Sequence, residues 1–121
     1  MKIILAVGFG SFLGGIARYL VGLLVHTKYT GSFPFSTFLV NVIGCLLIGV
    51  LFGSSEKLGL SEEWKSFLII GVLGGFTTFS SFSNESIQLL QNGNYGMAFT
   101  YIASSIIVGL SATFVGFIFA K

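Results

Sequence analysis

The chain has 121 residues, 54% of them hydrophobic and only 8% charged, where an average soluble domain carries about 25% charged residues. Water is therefore excluded as its main solvent, and at about 20 residues per bilayer-spanning helix, four spans with short loops nearly exhaust the length. Six Lys or Arg stand against four acids, singly rather than in a run, so the chain offers no basic patch for nucleic acid and its partners are expected in the lipid bilayer.

In chain order, Met1-Lys2 and the apolar run behind them imitate a signal peptide, but without a convincing A-x-A-like cleavage site. The segment is read as a retained first helix from Ile3 to Val25, interrupted only by Arg18 and closed by the polar stretch His26 to Ser32. Pro34 suits the first turn of a second helix, where a missing N–H costs nothing. That helix continues to Phe52, before the loop Gly53-Ser54-Ser55-Glu56-Lys57. Cys45 within it is the single cysteine; it excludes an intramolecular disulfide and is read as a packed small hydrophobe. Ser61 is a candidate N-cap, with Glu62 and Glu63 well placed in the first turn of a third segment reaching Leu90. Gln91 to Asn94 closes that segment, and the last helix runs from Tyr95 to Ala120, leaving Lys121 as an anchor among the headgroups. The expectation is a single transmembrane domain over residues 1–121, all-α, with both termini on one side.

The third segment is longer than a straight span needs, and its middle reads Gly74-Gly75-Phe76-Thr77-Thr78-Phe79. Two glycines and two β-branched threonines are poor helix interior, so a break near the midplane is expected there, where carbonyls and helix ends can meet ions. The alternative is that the glycines merely allow close packing. Lys2, Lys57, Lys65 and Lys121 lie toward one side while Lys28 and Arg18 lie toward the other. That small bias favours cytoplasmic termini and leaves antiparallel pairing open.

Among polar residues within the spans, the Asn41 amide offers two N–H donors, for an anion or for a neighbouring helix. Phe76, Phe79 and Phe82 recur at three-residue spacing and so share one helical face, with Ser80, Ser81 and Ser83 between them. Such a stripe packs, or turns positive ring edges toward an anion. Tyr101 and Ser105, four apart, stack hydroxyls on one face of the last helix, whereas Ser104, Ser111 and Thr113 are read as bonding back to their own helix. Arg18 and Glu85 are the ionisable residues within the spans, either functional or, respectively, snorkelling and ending a helix. The only histidine is His26, no carboxylate or Cys/His cluster has metal-ligand spacing, and the Gly-rich segments lack a P-loop lysine. An enzyme is not expected.

With these residues laid out, Gly74-Gly75-Phe76-Thr77-Thr78-Phe79-Ser80-Ser81-Phe82 resembles the GGxTTFSTF signature of the fluoride channel family known as Fluc or CrcB, departing at Ser81, where the family often has Thr. Gly14-Gly15-Ile16-Ala17-Arg18-Tyr19 resembles its first-helix G-G-x-x-R-Y element and Asn41-Val42-Ile43-Gly44 its N-x-x-G element. The resemblance covers essentially the whole chain. It implies an antiparallel dual-topology homodimer in the cell membrane, the inner membrane of a bacterium, with two passive fluoride pathways built from both subunits. It implies a pore of Phe79, Phe82 and Asn41 with Ser80 and Ser83 beside them, and a structural sodium ion on the two-fold axis held by the carbonyls of Gly74 and Thr77. Tyr101 and Ser105 look like the family's polar track, which Gly109 does not continue with a hydroxyl, and Arg18 and Glu85 match positions near the ends of the route. Two other classes remain. A small proton-coupled multidrug transporter would share helices and dimer but needs an acid in the first span, where this chain has none; a non-transporting subunit would use the glycines for assembly alone.

Overall fold

A computed structural model describes all residues, 1–121. Four helical stretches are long and apolar enough to cross a membrane: Lys2–Lys28, Phe35–Gly53, Glu62–Gln91 and Tyr95–Ala120. The first is helix α1 (Lys2–Lys28) and the second α2 (Phe35–Gly53). A single turn, α3 (Ser55–Leu58), lies in the following loop and is closed by Gly59 at φ +58°. The third stretch comprises α4 (Glu62–Lys65), a π-helical run Ser66–Leu73, α5 (Gly74–Phe76) and α6 (Phe79–Gln91), and the fourth is α7 (Tyr95–Ala120).

Several ends follow directly from local chemistry. The Ser61 hydroxyl accepts from the Trp64 N–H at 3.3 Å and caps α4, as its position indicates. Helix α1 runs three residues beyond Val25 to Lys28, whose cationic side chain suits a helix C-terminus, and Thr27 Oγ1 donates to the Leu24 carbonyl at 2.7 Å. Pro34 precedes rather than opens α2: its carbonyl accepts the first bond, from the Phe38 N–H at 3.1 Å. The segment Gly53 to Lys57, expected as loop, holds the last residue of α2 and most of α3.

Two parallel pairs of helices make the bundle, each joined backbone to backbone at glycines. In the first pair Gly10 lies against Phe67 and Val72, Gly14 against Val72 and Phe76, and Gly75 against Ser11 and Gly15. In the second, Gly49 lies against Thr113, Gly53 against Phe117 and Gly116 against Leu46 and Val50. Residue numbers rise together in both seams, so α1 runs parallel to the first half of the third stretch and α2 parallel to α7. Small residues four apart allow this approach, and the van der Waals contact it brings replaces the hydrophobic drive that lipid removes. Only 15 of 121 residues are buried, and large side chains such as Phe79, Phe99, Leu110 and Phe114 point outward. A cluster of Leu89, Ala98 and Tyr101, with Phe33, Phe38, Phe82 and Met97 packed on it, ties α6 to α7, α2 and the α1–α2 loop.

Candidate functional site

The backbone is extended at Thr77 (φ −89°, ψ 158°) and Thr78 (φ −151°, ψ 113°), between α5 and α6. β-Branched residues accept this conformation readily, and the polar groups released by it are taken up by neighbours. The Thr78 N–H donates to Asn41 Oδ1 at 2.8 Å, and Asn41 Nδ2 donates to the Thr78 carbonyl at 3.0 Å. One amide side chain thus satisfies both backbone groups of one residue. Thr78 Oγ1 accepts from the Ser81 N–H at 3.2 Å and caps α6, while Thr77 Oγ1 donates to the Leu73 carbonyl at 3.0 Å.

All three sequence motifs converge on this segment. One turn from Asn41, Gly44 leaves room for the Thr77 methyl, into which any Cβ there would drive. Gly14 admits the backbone of Val72 and Phe76, and Arg18 Nε donates to the Gly75 carbonyl at 3.0 Å. Arg18 is turned inward to the chain rather than snorkelling outward. The diverted donors have a further effect. With the Thr78 N–H on Asn41 and the Ser81 N–H on the Thr78 hydroxyl, the carbonyls of Gly74 and Thr77 lose the partners four residues on that a continuous helix would give them.

Beside the segment lies a cavity of about 400 Å³ lined by Asn41, Gly44, Cys45, Leu73, Gly74, Thr77, Thr78, Phe79, Phe82 and Ser105, among others, with no charged side chain on its wall. Asn41 Nδ2 makes no second hydrogen bond within the chain. The Phe79 and Phe82 rings are 5.5 Å apart and tilted by 51°. The extended residues remove Phe76 from their face: its backbone nitrogen lies at the α1 seam, its ring lies near Gly44 of α2, and it does not line the cavity, so the three-residue stripe is not a single face. Ser105 Oγ is buried with no partner. Tyr101, wholly buried, lies behind Phe82 with ring centroids 5.2 Å apart, and its hydroxyl is also unpartnered. Ser80, exposed, is 3.2 Å from Thr78 Oγ1 and off the cavity wall, and Ser83 is exposed elsewhere on α6.

Glu85 and Arg18 line separate hollows. Glu85 Oε1 accepts from Thr37 Oγ1 at 2.6 Å in a depression of about 680 Å³ built with the α1–α2 loop, Gln88 and Asn92. Arg18 lines another, of about 380 Å³, with Tyr19, His26, Ser36 and Ser81. Thr37 belongs to both. It was not singled out from the sequence, although it stands four residues before Asn41 on one helical face. Ser104 bonds back to the Tyr101 carbonyl, but Thr113 Oγ1 crosses to the Cys45 carbonyl at 3.0 Å, fastening α7 to α2 instead of its own helix. Cys45 packs opposite Gly109 and also forms part of the cavity wall, four residues after Asn41.

Known proteins are similar to this chain along nearly its whole length. The family described as CrcB-like protein, Camphor Resistance (CrcB), matches residues 5–117. A Flavobacterium psychrophilum protein named fluoride-specific ion channel FluC is 48% identical over 122 residues, covering 100% of this chain and 98% of its own. Proteins of the same name from Phocaeicola vulgatus and Caulobacter vibrioides are 41% and 43% identical, covering 96% and 100% of this chain and 96% and 97% of their own. With the match running through all four spans and the motifs that meet at Thr77 and Thr78, the chain belongs to the CrcB family of multi-pass membrane proteins.

Proposed function

We propose that this chain is a fluoride channel, a passive pore rather than an enzyme, and that the cavity of Asn41, Phe79, Phe82 and Ser105 is part of its pathway. The observation that carries this is the uncharged wall: an amide donor, a hydroxyl and two rings beside a helix interruption. Fluoride is small and strongly hydrated, so a pore must offer close donors in exchange for its water, yet a fixed cation would hold it too firmly to conduct. Neutral N–H and O–H groups and positive ring edges meet both demands. The relatives' names point to the same ion.

The functional unit in this reading is an antiparallel, dual-topology homodimer in the cell membrane, with two pores at the interface, cytoplasmic fluoride leaving through them, and the interruption of the third helix near the midplane. The outward apolar side chains fit lipid and a second copy equally well. The carbonyls of Gly74 and Thr77, released from helical bonding, are suited to hold a structural sodium ion between the two copies, since hard cations take oxygen ligands. Such an ion supplies positive field without standing in the pathway. Ser80, Ser83, Tyr101, Arg18 and Glu85 would border the route rather than its narrow part, with Arg18 and Glu85 at its mouths. Proton antiport is disfavoured because Glu85 is engaged by Thr37 in a different hollow.

Fluoride efflux from liposomes containing the purified protein, followed by electrode with potential clamped by an ionophore, tests this directly. Rapid fluoride loss with chloride retained in a parallel sample is the expected result. No fluoride flux from demonstrably dimeric protein would return the transporter and subunit readings.

A further inference from the structure

The rings at the cavity do not end with Phe82. Phe82 packs on Tyr101 at 5.2 Å, and Tyr101 on Phe33 at 5.4 Å with planes at 83°. Phe33 in turn meets Phe38 at 5.5 Å and 73°, and Phe35 at 4.7 Å. Phe33 belongs to the loop between α1 and α2 and lines the wide depression that holds Glu85, whereas Phe82 lines the cavity. Tyr101 stands between them, wholly buried, with its hydroxyl unpartnered. Its hydroxyl lies beside Thr37 and Glu85 without a hydrogen bond of good geometry, so the packing of neighbouring rings does most to orient Tyr101.

We infer that Phe33 is a positioning residue which, through Tyr101, aims the Phe82 ring and thereby sets the discrimination between anions. The physical basis is that the Phe33–Tyr101 pair is edge-to-face, a preferred arrangement that resists rotation, and that Tyr101 and Phe82, tilted by 56°, are in close contact, so turning one ring displaces the next. A ring edge presented squarely to the cavity contacts a small anion; a ring rotated by some tens of degrees presents its negative face instead. The loop thus does more than connect two spans: its aromatic side chain is the outermost member of a file reaching the conducting wall. The inference rests on the proposed pore role of Phe82.

The test compares Phe33→Leu and Phe33→Tyr with wild type in liposomes, measuring fluoride and chloride efflux per dimer, dimers being counted by size-exclusion chromatography. Phe33→Leu keeps an apolar filler without the ring and is expected to lower the fluoride-to-chloride flux ratio by about tenfold, while Phe33→Tyr retains it. A role confined to folding would reduce the yield of dimer and leave that ratio unchanged. Should Phe33→Leu fail to assemble, pentafluorophenylalanine at position 33 keeps the ring's shape and inverts its quadrupole; the same fall in ratio is expected. Phe82→Ile in the same series separates the two readings. If it abolishes flux while the assembled position-33 variants match wild type, the role of Phe33 is overturned and the pore stands; if wild type carries no fluoride, both fall.

Discussion

Asn41→Asp is the sharpest perturbation of the site, because it changes one amide nitrogen to oxygen and almost no volume. In the native chain that nitrogen donates to the Thr78 carbonyl at 3.0 Å while the side-chain oxygen accepts from the Thr78 N–H at 2.8 Å. An aspartate keeps the second bond and loses the first, setting oxygen against oxygen and leaving a carbonyl without its partner, which costs about 1–3 kcal/mol. The larger effect falls on the anion. Even at about 6 Å from a fluoride, about twice the distance of a direct hydrogen bond, a carboxylate at an effective dielectric of about 20 opposes it by about 3 kcal/mol, which converts to roughly a hundredfold in rate or more. Fluoride efflux per dimer should therefore fall by about a hundredfold or more at neutral pH, with the dimer still recovered by size-exclusion chromatography. Asn41→Leu, which removes both bonds but adds no charge, should unfold more easily than Asn41→Asp while repelling the ion less. Flux within about threefold of wild type in folded Asn41→Asp would refute the placement of fluoride beside this amide.

Three further outcomes are expected. Phe82→Ile should abolish fluoride flux while leaving assembly intact, since it exchanges a ring edge for a methyl of similar apolarity; normal flux would remove Phe82 from the conducting wall. Gly14→Ala should lower unfolding stability in detergent by about 1–3 kcal/mol, because its methyl would enter the Val72 carbonyl, whereas Gly15→Ala, whose methyl meets open space, should be silent. Equal melting curves for the two would show that the seam has slack. Arg18→Gln should cost about 1–3 kcal/mol through loss of the Nε–H bond to the Gly75 carbonyl, read by thermal denaturation, and an unchanged transition would make that bond incidental.

The sequence by itself determined the span count, because length and apolarity leave no other way to bury so much hydrocarbon-like surface. It also determined local signals carried by near neighbours, such as the Ser61 cap, and the order of the three motifs that mark the family. It did not show that those motifs grip one another. Gly14 and Gly15 are identical in sequence terms, yet only Gly14 meets the Val72 carbonyl, a distinction made by the seam between α1 and the third stretch. The spacing of Phe76, Phe79 and Phe82 read as one face because a regular helix was assumed; two extended threonines, supported by Asn41 from another helix, place Phe76 elsewhere. Phe33, between the polar stretch and Pro34, carries no sequence signal, since nothing local announces that a connecting residue will reach Tyr101, 68 positions further on. In each case the deciding contact joins residues far apart in the chain, and in a bilayer, where apolar burial alone does not choose partners, such close backbone and polar contacts select the arrangement.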